Sequence, residues 1–573
     1  MNKIFLTLSL AISSGVAAQA QSAIDGYRFS QPDLKGTARF MGMAGAFGAL
    51  GGDLSTLSQN PAGIGIYRSN DIGFTVDLDF QKSLGKSDNS ETSLTQTKFL
   101  LNNIGGVFTL RLPSTTVPNL NFGFTYNKGV SFNRQYAGTM PLRNSLSNYI
   151  AGVANSSGPE GGPLYVGDVT TTSSFDPYFP NDGNLAAPWL TILGYDSYLT
   201  TPSGEGQDTE WFGQWGEGTS GMGIYNVIEK GSVDEYNIAF GGNIANVVYW
   251  GMNFDIVNFN YTQNAYWGEQ LQNAYVPDNN NEAVRTSADW TLHNYYNVSG
   301  SGFNYQLGVI LKPIQELRLG FAFHTPTWYN MTETYGADVN YRYAGTETGQ
   351  AQTNNGMLAY NDMCFRSPMK FIASAAGVIG SSFIISFDYE WTPYNKMKFS
   401  QAGSYGTGNT WDPGYYDPWD YYSAKSGSSL PATKASYYGD EFYDTNNDIK
   451  AYYQSTNTFR IGAEYRLTPN FSVRAGYSHV SSPVKSDVRE DKTFVYTSGT
   501  MPNYRVDNET NYVTLGLGYR GNHFYADLAY VYKNMQSEYH AFTPDDALGA
   551  IPSPKSKLSL TNNQLVLTAG YRF

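Results

Sequence analysis

The residues of this chain best placed to do chemistry are charged groups set at alternate positions inside apolar segments. Asp77, Asp79, Arg111, Arg318, Asp388, Glu390, Arg460, Arg474 and Arg572 recur in this way, joined by His324, Glu464, Arg466 and Asp527. A spacing of two puts such groups on one face of a strand and the apolar residues on the other. Both signs occur in similar numbers, which suits a network of pairs better than an ion-selective lining. In a site partly shielded from water an unpaired charge is costly, so pairing is the expected state. Two uses remain open: the charges brace a wall and what fills it, or one or two arginines meet the acidic head group of a substrate.

Other chemistry has little support. The five histidines (His293, His324, His479, His523 and His540) are scattered, and no two have the helical spacing of a metal pair. No Gly-x-Ser-x-Gly elbow anchors a nucleophile. Asp444, Asn446 and Asp448 supply oxygens in the manner of a partial calcium loop, but its Gly and terminal Glu are missing, so a solvated turn is expected there. Neither an enzyme, a metal nor a cofactor is indicated.

A second group of candidates lies at residues 36–63, a small, apolar, glycine-rich stretch with no strand period. Gly42, Gly45 and Gly48 recur every third residue, and the stretch ends in the turn signal Asn60-Pro61-Ala62-Gly63. No strand precedes these glycines, so they do not form a dinucleotide loop. A segment with so little side chain can pack inside something larger but cannot bury a core of its own.

The container must come from the rest of the chain. Residues 1–20 read as a secretory signal, with Lys3, an apolar run from Ile4, and Ala18-Gln19-Ala20 as the cleavage site. The exported remainder has one cysteine, Cys364, and therefore no internal disulfide. The full sequence holds 46 Tyr, 32 Phe, 10 Trp and 60 Gly, with 15% charged residues and a net charge of −13. That charge leaves no basic surface for nucleic acid. No second long apolar run exists, which excludes helical spans, and aromatic and glycine excess without them points to a transmembrane β-barrel.

Alternation supports the barrel. In Asp71 to Phe80, Ile72, Phe74, Val76, Leu78 and Phe80 share one face, and Asp71, Gly73, Thr75, Asp77 and Asp79 the other. The pattern predicts fourteen strands, near 71–80, 104–112, 120–136, 233–244, 248–262, 296–312, 317–331, 367–379, 382–399, 451–467, 471–482, 511–520, 523–537 and 559–573. Every second connection is short, and the others are long and rich in Gly, Asn, Asp and Tyr, as expected of short periplasmic turns and long external loops. The expected organisation is an all-β, fourteen-stranded antiparallel barrel over 71–573, plugged by a hatch at 21–70, in the bacterial outer membrane. Its largest loops fall at about 137–232 and 400–450. Helices are expected in the first at 144–154 and 186–199, and the second carries Trp411, Tyr415, Tyr416, Trp419, Tyr421 and Tyr422. Aromatic-rich loops serve both ligand capture and protein docking.

The hatch and several strands carry a resemblance. Arg39-Phe-Met-Gly-Met-Ala-Gly-Ala-Phe47, then Asp53 and Asn60-Pro61-Ala62-Gly63, resemble the hatch of the outer-membrane long-chain fatty acid and hydrocarbon transporters, the FadL/TodX type. Asp388-Tyr-Glu-Trp391, Phe459-Arg-Ile-Gly-Ala-Glu-Tyr465 and Asn470-Phe-Ser-Val-Arg-Ala-Gly-Tyr477 are similar too. The resemblance implies passive uptake of a hydrophobic small molecule through an apolar pocket, gated by Arg39, Gly42, Gly45, Asp53, Asn60, Pro61, Ala62 and Gly63. It also implies lateral exit among outer-membrane lipid, by a monomer. The alternative is an accessory barrel that docks partner proteins through its extracellular loops. A ligand pocket and a break in the strand ladder would favour the transporter.

Overall fold

The computed structural model describes residues 22–544 and 553–573, apart from 89, 181–185, 207–208, 278–282, 346, 381 and 403–441. The signal segment and the tryptophan and tyrosine cluster of the 400–450 loop lie outside the described residues. Fourteen antiparallel strands form one closed wall. They are β1 (Asp71–Ser87), β2 (Ser90–Arg111), β3 (Asn119–Ser131, continued by Arg134–Pro141), β4 (Ser220–Ile244), β5 (Val248–Pro277), β6 (Ala283–Leu311) and β7 (Leu317–His324, continued by Trp328–Tyr343). Then come β8 (Ala359–Arg366, continued by Lys370–Ile379), β9 (Phe383–Pro393, continued by Lys398–Gln401), β10 (Ser455–Arg466), β11 (Phe471–Val480), β12 (Tyr504–Arg520), β13 (Phe524–His540) and β14 (Lys555–Arg572). Each pairs with its neighbour in sequence. The wall closes through β1 and β14, from Asp71 opposite Arg572 to Lys86 opposite Lys557.

The period of two explains the wall. On β1, Ile72, Phe74 and Phe80 are exposed, while Asp71, Thr75, Asp77 and Asp79 are buried, which is the polarity of a wall with lipid outside and a filled lumen within. At one end the strands turn quickly, as at 245–247, where Ala245 and Asn246 take φ of 53° and 58° and make a tight hairpin between β4 and β5.

The strands run further than the alternation suggests. β5 has 30 residues and β6 has 29, against about 10 needed to cross a bilayer. The insertion expected at 137–232 is therefore smaller, because Arg134–Pro141 and Ser220–Ile244 reach into it from both sides and pair with each other. Likewise β1 and β2 leave no long loop, and form a hairpin down to Ser87 opposite Ser90. In these extensions the outward residues face water rather than lipid, so they are polar and read as loop. The helices expected at 144–154 and 186–199 appear as Leu146–Ser156 and Trp189–Asp196, the first capped by Ser145, whose hydroxyl accepts from the Ser147 amide. Asp444, Asn446 and Asp448 are not in a turn but on a helix, Tyr443–Tyr452. There the Asn446 amide pairs with both backbone groups of Phe399 at 2.9 Å each, standing in for a neighbouring strand.

The N-terminal chain lies within this wall. Helix α1 (Ala23–Ser30) sits high among aromatic rings. Short helices α2 (Ala38–Met41) and α3 (Thr56–Gln59) and a 3-10 turn (Pro61–Ile66) fill the end with the short turns.

Candidate functional site

Residues 36–66 are held by their own backbone and by the wall. Thr37 caps α2 by accepting from the Phe40 amide at 3.2 Å, and its hydroxyl donates to Asp53 at 2.7 Å. Asp53 also accepts from the Ser55 amide at 3.0 Å, so it ties the two halves of the segment together. Asn60 does the same lower down: its Nδ2 donates to the Gly48 carbonyl at 2.5 Å and its Oδ1 accepts from Ala62 N at 3.2 Å. Pro61 then opens the 3-10 turn with a fixed φ and no amide to satisfy. Gly45 needs its freedom, with φ at +75°.

Several inward wall positions facing this segment are glycines. A Cβ on Gly251 would meet the Pro61 carbonyl, and one on Gly308 the Asn60 side chain. One on Gly320 would meet the Gly48 carbonyl, and one on Gly462 or Gly476 the backbone of Met43. Gly42 in turn lies against Gly516, and Thr514 Oγ1 donates to the Gly42 carbonyl at 3.0 Å. The strands thus give up side chains along the level where the plug's backbone presses on them.

Charges complete the seat. Asp388, fully buried on β9, accepts through one oxygen from Phe47 N at 3.0 Å, Gly48 N at 2.9 Å and Gln59 Nε2 at 3.0 Å. Arg39 donates to Glu464 at 3.0 Å, and Arg474 links that same Glu464 to Asp527 at 2.6 Å each. Lys35 meets Asp77 at 2.6 Å, Arg318 donates to the Leu50 carbonyl at 2.7 Å, and Arg460 pairs with Glu390 at 2.8 Å. Asp79 accepts from Gln81 at 3.0 Å and Asn562 at 3.1 Å. Arg572 closes the seam on Asp71 at 2.9 Å, and His324 Nε2 donates to the Gln59 carbonyl at 2.8 Å. Two residues depart from the expected lumenal set. Arg111 and Arg466 stand exposed at strand ends beside the short turns, Arg111 donating to the Arg68 carbonyl at 2.8 Å. Alternation assigns a face but not a depth, and at the rim that face opens to water.

The strand ladder has a gap. β2 pairs with β3 from Arg111 opposite Asn119 to Asn103 opposite Asn127, and no further among the described residues. Just above, β3 slips register against β4 between Lys128 and Val130, and Phe132 N donates to the Gly231 carbonyl at 3.0 Å. Its continuation, Arg134–Pro141, stays on β4. Among the described residues the hydrogen bonds from this continuation to the β1–β2 hairpin come from side chains, such as Ser83 Oγ of β1 to the Gln135 carbonyl at 2.5 Å and Ser90 of β2 to Thr139 at 2.6 Å. At ~3.3 Å per residue the ladder from Asn119 ends roughly 25 Å along a tilted strand, within a hydrocarbon core about 30 Å thick.

The sequence matches a family model for outer membrane protein transport proteins (OMPP1/FadL/TodX) over residues 236–572. The chain belongs to this family. It is accordingly an outer-membrane protein of a family that carries hydrophobic compounds. Similar solved structures include a Pseudomonas aeruginosa FadL homologue, at 13% identity and TM-score 0.49, covering 95% of this chain and all of that one. The Pseudomonas putida toluene transporter TodX aligns at 11% identity and TM-score 0.45 over 94% of this chain and 99% of its own. The Ralstonia pickettii toluene transporter TbuX aligns at 12% and 0.42, over the same shares. A search of curated proteins returns no match.

Three lumenal residues of this FadL/TodX-type barrel are absent from the candidates that the sequence suggests: Glu235, Asp255 and Lys370. All three line a cavity of about 190 Å³ directly above the hatch. Asp255 carried a readable signal, an acid on the polar face of Asn253-Phe-Asp-Ile-Val257. Lys370 follows Pro368, where no alternation fixes its direction.

Proposed function

We propose that the barrel admits largely apolar, amphipathic small molecules such as long-chain fatty acids or aromatic hydrocarbons by diffusion. In this reading a monomer takes the ligand from its extracellular side, holds it above the hatch, and releases it sideways into outer-membrane lipid. The observation that carries the reading is the gap between β2 and β3, where the ladder ends at Asn103 and Asn127 while the wall on either side continues. A wall built only to brace partners has no reason to forgo backbone bonds at membrane depth, where unpaired groups are costly. Asn60 to Gly63 are the latch of the hatch in this scheme, since Asn60 and Pro61 sit on Gly308 and Gly251, beneath the cavity.

Uptake of labelled oleate and toluene by cells with and without the gene tests the passage. Faster uptake with the gene is expected. Equal uptake together with a stable co-purifying protein would replace this reading with the accessory one. Deletion of residues 60–63 tests the latch: unchanged permeability to hydrophobic solutes would remove the gating role.

A further inference from the structure

The cavity above the hatch is lined by charges that are unevenly matched. Arg460 has Glu390 at 2.8 Å, Asp33 has Lys533 at 2.8 Å, and Lys128 has Asp234 at 2.5 Å. Glu235 on β4, Asp255 on β5 and Lys370 on β8 have no ion pair among the described residues, yet all face this space. Asp255 is 1% exposed; one of its oxygens accepts from Asn304 at 2.9 Å and the other has no partner. Ionisable groups left unmatched at membrane depth mark the path of a ligand that matches them.

The lining also offers both kinds of surface: Ser58 and Gln59 of the hatch and His324 are polar, while Phe29, Val130, Val233 and Val257 are apolar. An amphiphile therefore finds partners for its head and for the start of its tail.

We propose that this cavity binds the zwitterionic head of an amphiphile, with an ammonium between Glu235 and Asp255 and an acidic oxygen at Lys370. The assignment rests on the barrel being a passage for amphiphiles and ranks what this one cavity holds, with zwitterionic heads above the fatty acids and hydrocarbons that the passage also admits. A simple fatty acid would satisfy Lys370 but set a third carboxylate beside Glu235 and Asp255. A bare hydrocarbon would leave all three groups without a direct partner in a site shielded from water, with Lys370 the one positive charge near two acids. A head carrying both signs matches all three, and its acidic oxygen is a phosphate or a carboxylate.

Calorimetric titration of the purified full-length protein in non-ionic detergent tests this with four probes. Lysophosphatidylethanolamine and Nα-lauroyl-lysine carry the two zwitterionic heads, while laurate and dodecylamine carry one charge each. At least one zwitterion is expected to bind ~10-fold or more tighter than either single-charge probe. Which one does so decides between phosphate and carboxylate. Glu235→Gln with Asp255→Asn is expected to weaken the zwitterion by a similar factor without weakening laurate, and Lys370→Met to weaken both. Laurate binding as tightly as the zwitterions, or an unchanged affinity in the double variant, overturns the assignment. The single variants serve if the double variant loses the heat-resistant gel mobility of a folded barrel. Binding is read without transport, so tight zwitterion binding with gene-independent uptake would sink the passage and leave the head-group assignment standing.

Discussion

Along β5, Asn253 and Asp255 point inward and are buried, and outward Met252 and Ile256 are exposed. A few residues further on, the inward face becomes Phe259, Tyr261, Ala265, Trp267 and Leu271, all buried, while the outward face becomes Thr262, Asn264, Gln270 and Gln272. The strand and its hydrogen-bonded neighbours are continuous across this change. What changes is the solvent outside: lipid below, water above. In the lower zone apolar residues must face out and the lumen is left to polar groups and a plug. In the upper zone apolar residues leave water by turning inward, as in any soluble core. The molecule therefore joins two interiors of opposite chemistry, with the cavity and its mixed polar and apolar lining at their boundary.

The same contrast explains what the sequence discloses. All fourteen strands are legible, because in the lower zone apolar and polar residues alternate cleanly, as in Ile72 to Phe80. The strand lengths are not, since Gln263 to Gln272 on β5 mixes Asn, Tyr, Trp and Gln without a clean period, although Trp267 and Leu271 face a core. The hatch is legible from its glycines and Asn60-Pro61. Its seat is not, because Gly251, Gly308, Gly320 and Gly476 look like ordinary strand glycines until the backbone opposite them is known. The charged pairs divide in the same way. Alternation reveals Arg474 and Glu464, but their junction with Arg39 joins residues 425 apart in sequence.

The lower interior should be least tolerant where its charges are most enclosed. The Arg474 side chain is inaccessible and shared by Glu464 and Asp527, with Arg39 on the far side of Glu464. Arg474→Leu leaves a buried carboxylate unmatched and is expected to destabilise the barrel by about 3–5 kcal/mol. The denaturant midpoint in lipid vesicles measures this. An unchanged midpoint would mean that the lumen is wet enough to screen these charges.

The upper interior should respond to lost packing instead. Phe29 of α1 meets Phe259, Phe365 and Phe399 edge-on, at ring separations of 5.0, 5.6 and 6.2 Å. Phe29→Ala is expected to cost about 3 kcal/mol locally. Faster amide exchange in α1 and around Phe365 and Phe399 should report it, while the hatch stays protected. Equal loosening of both zones would show that the two interiors fold as one.

Overpacking the hatch seat should cost less than either. Gly308→Ala places a methyl against the Asn60 side chain, and relaxation should hold the penalty to about 1–3 kcal/mol. The expected sign is faster leakage of a small polar dye from proteoliposomes, since the displaced part is Asn60 and Pro61. Unaltered leakage with unaltered stability would mean that the seat has slack, and that the glycines reflect folding rather than closure.

The smallest effect is expected in the water-exposed part of the upper zone, and it depends on pH. Asp448, on the extracellular helix Tyr443–Tyr452, is raised to about 6, mainly by burial; a hydrogen bond with Tyr452 opposes the rise and the nearby Asp444 adds to it. With the folded value above the ordinary carboxylate value of 3.8, the folded state binds this proton more tightly than the unfolded chain. Its contribution is therefore fully present in acid and is lost as pH rises through about 6. Amide exchange across this helix should slow modestly between pH 7 and pH 5, after correction for the intrinsic exchange rate. Asp448→Asn should abolish that change while leaving exchange in the hatch untouched. If the helix kept its pH response in the variant, the response would belong to another group, and the burial of Asp448 would have no energetic role in holding the helix on Phe399.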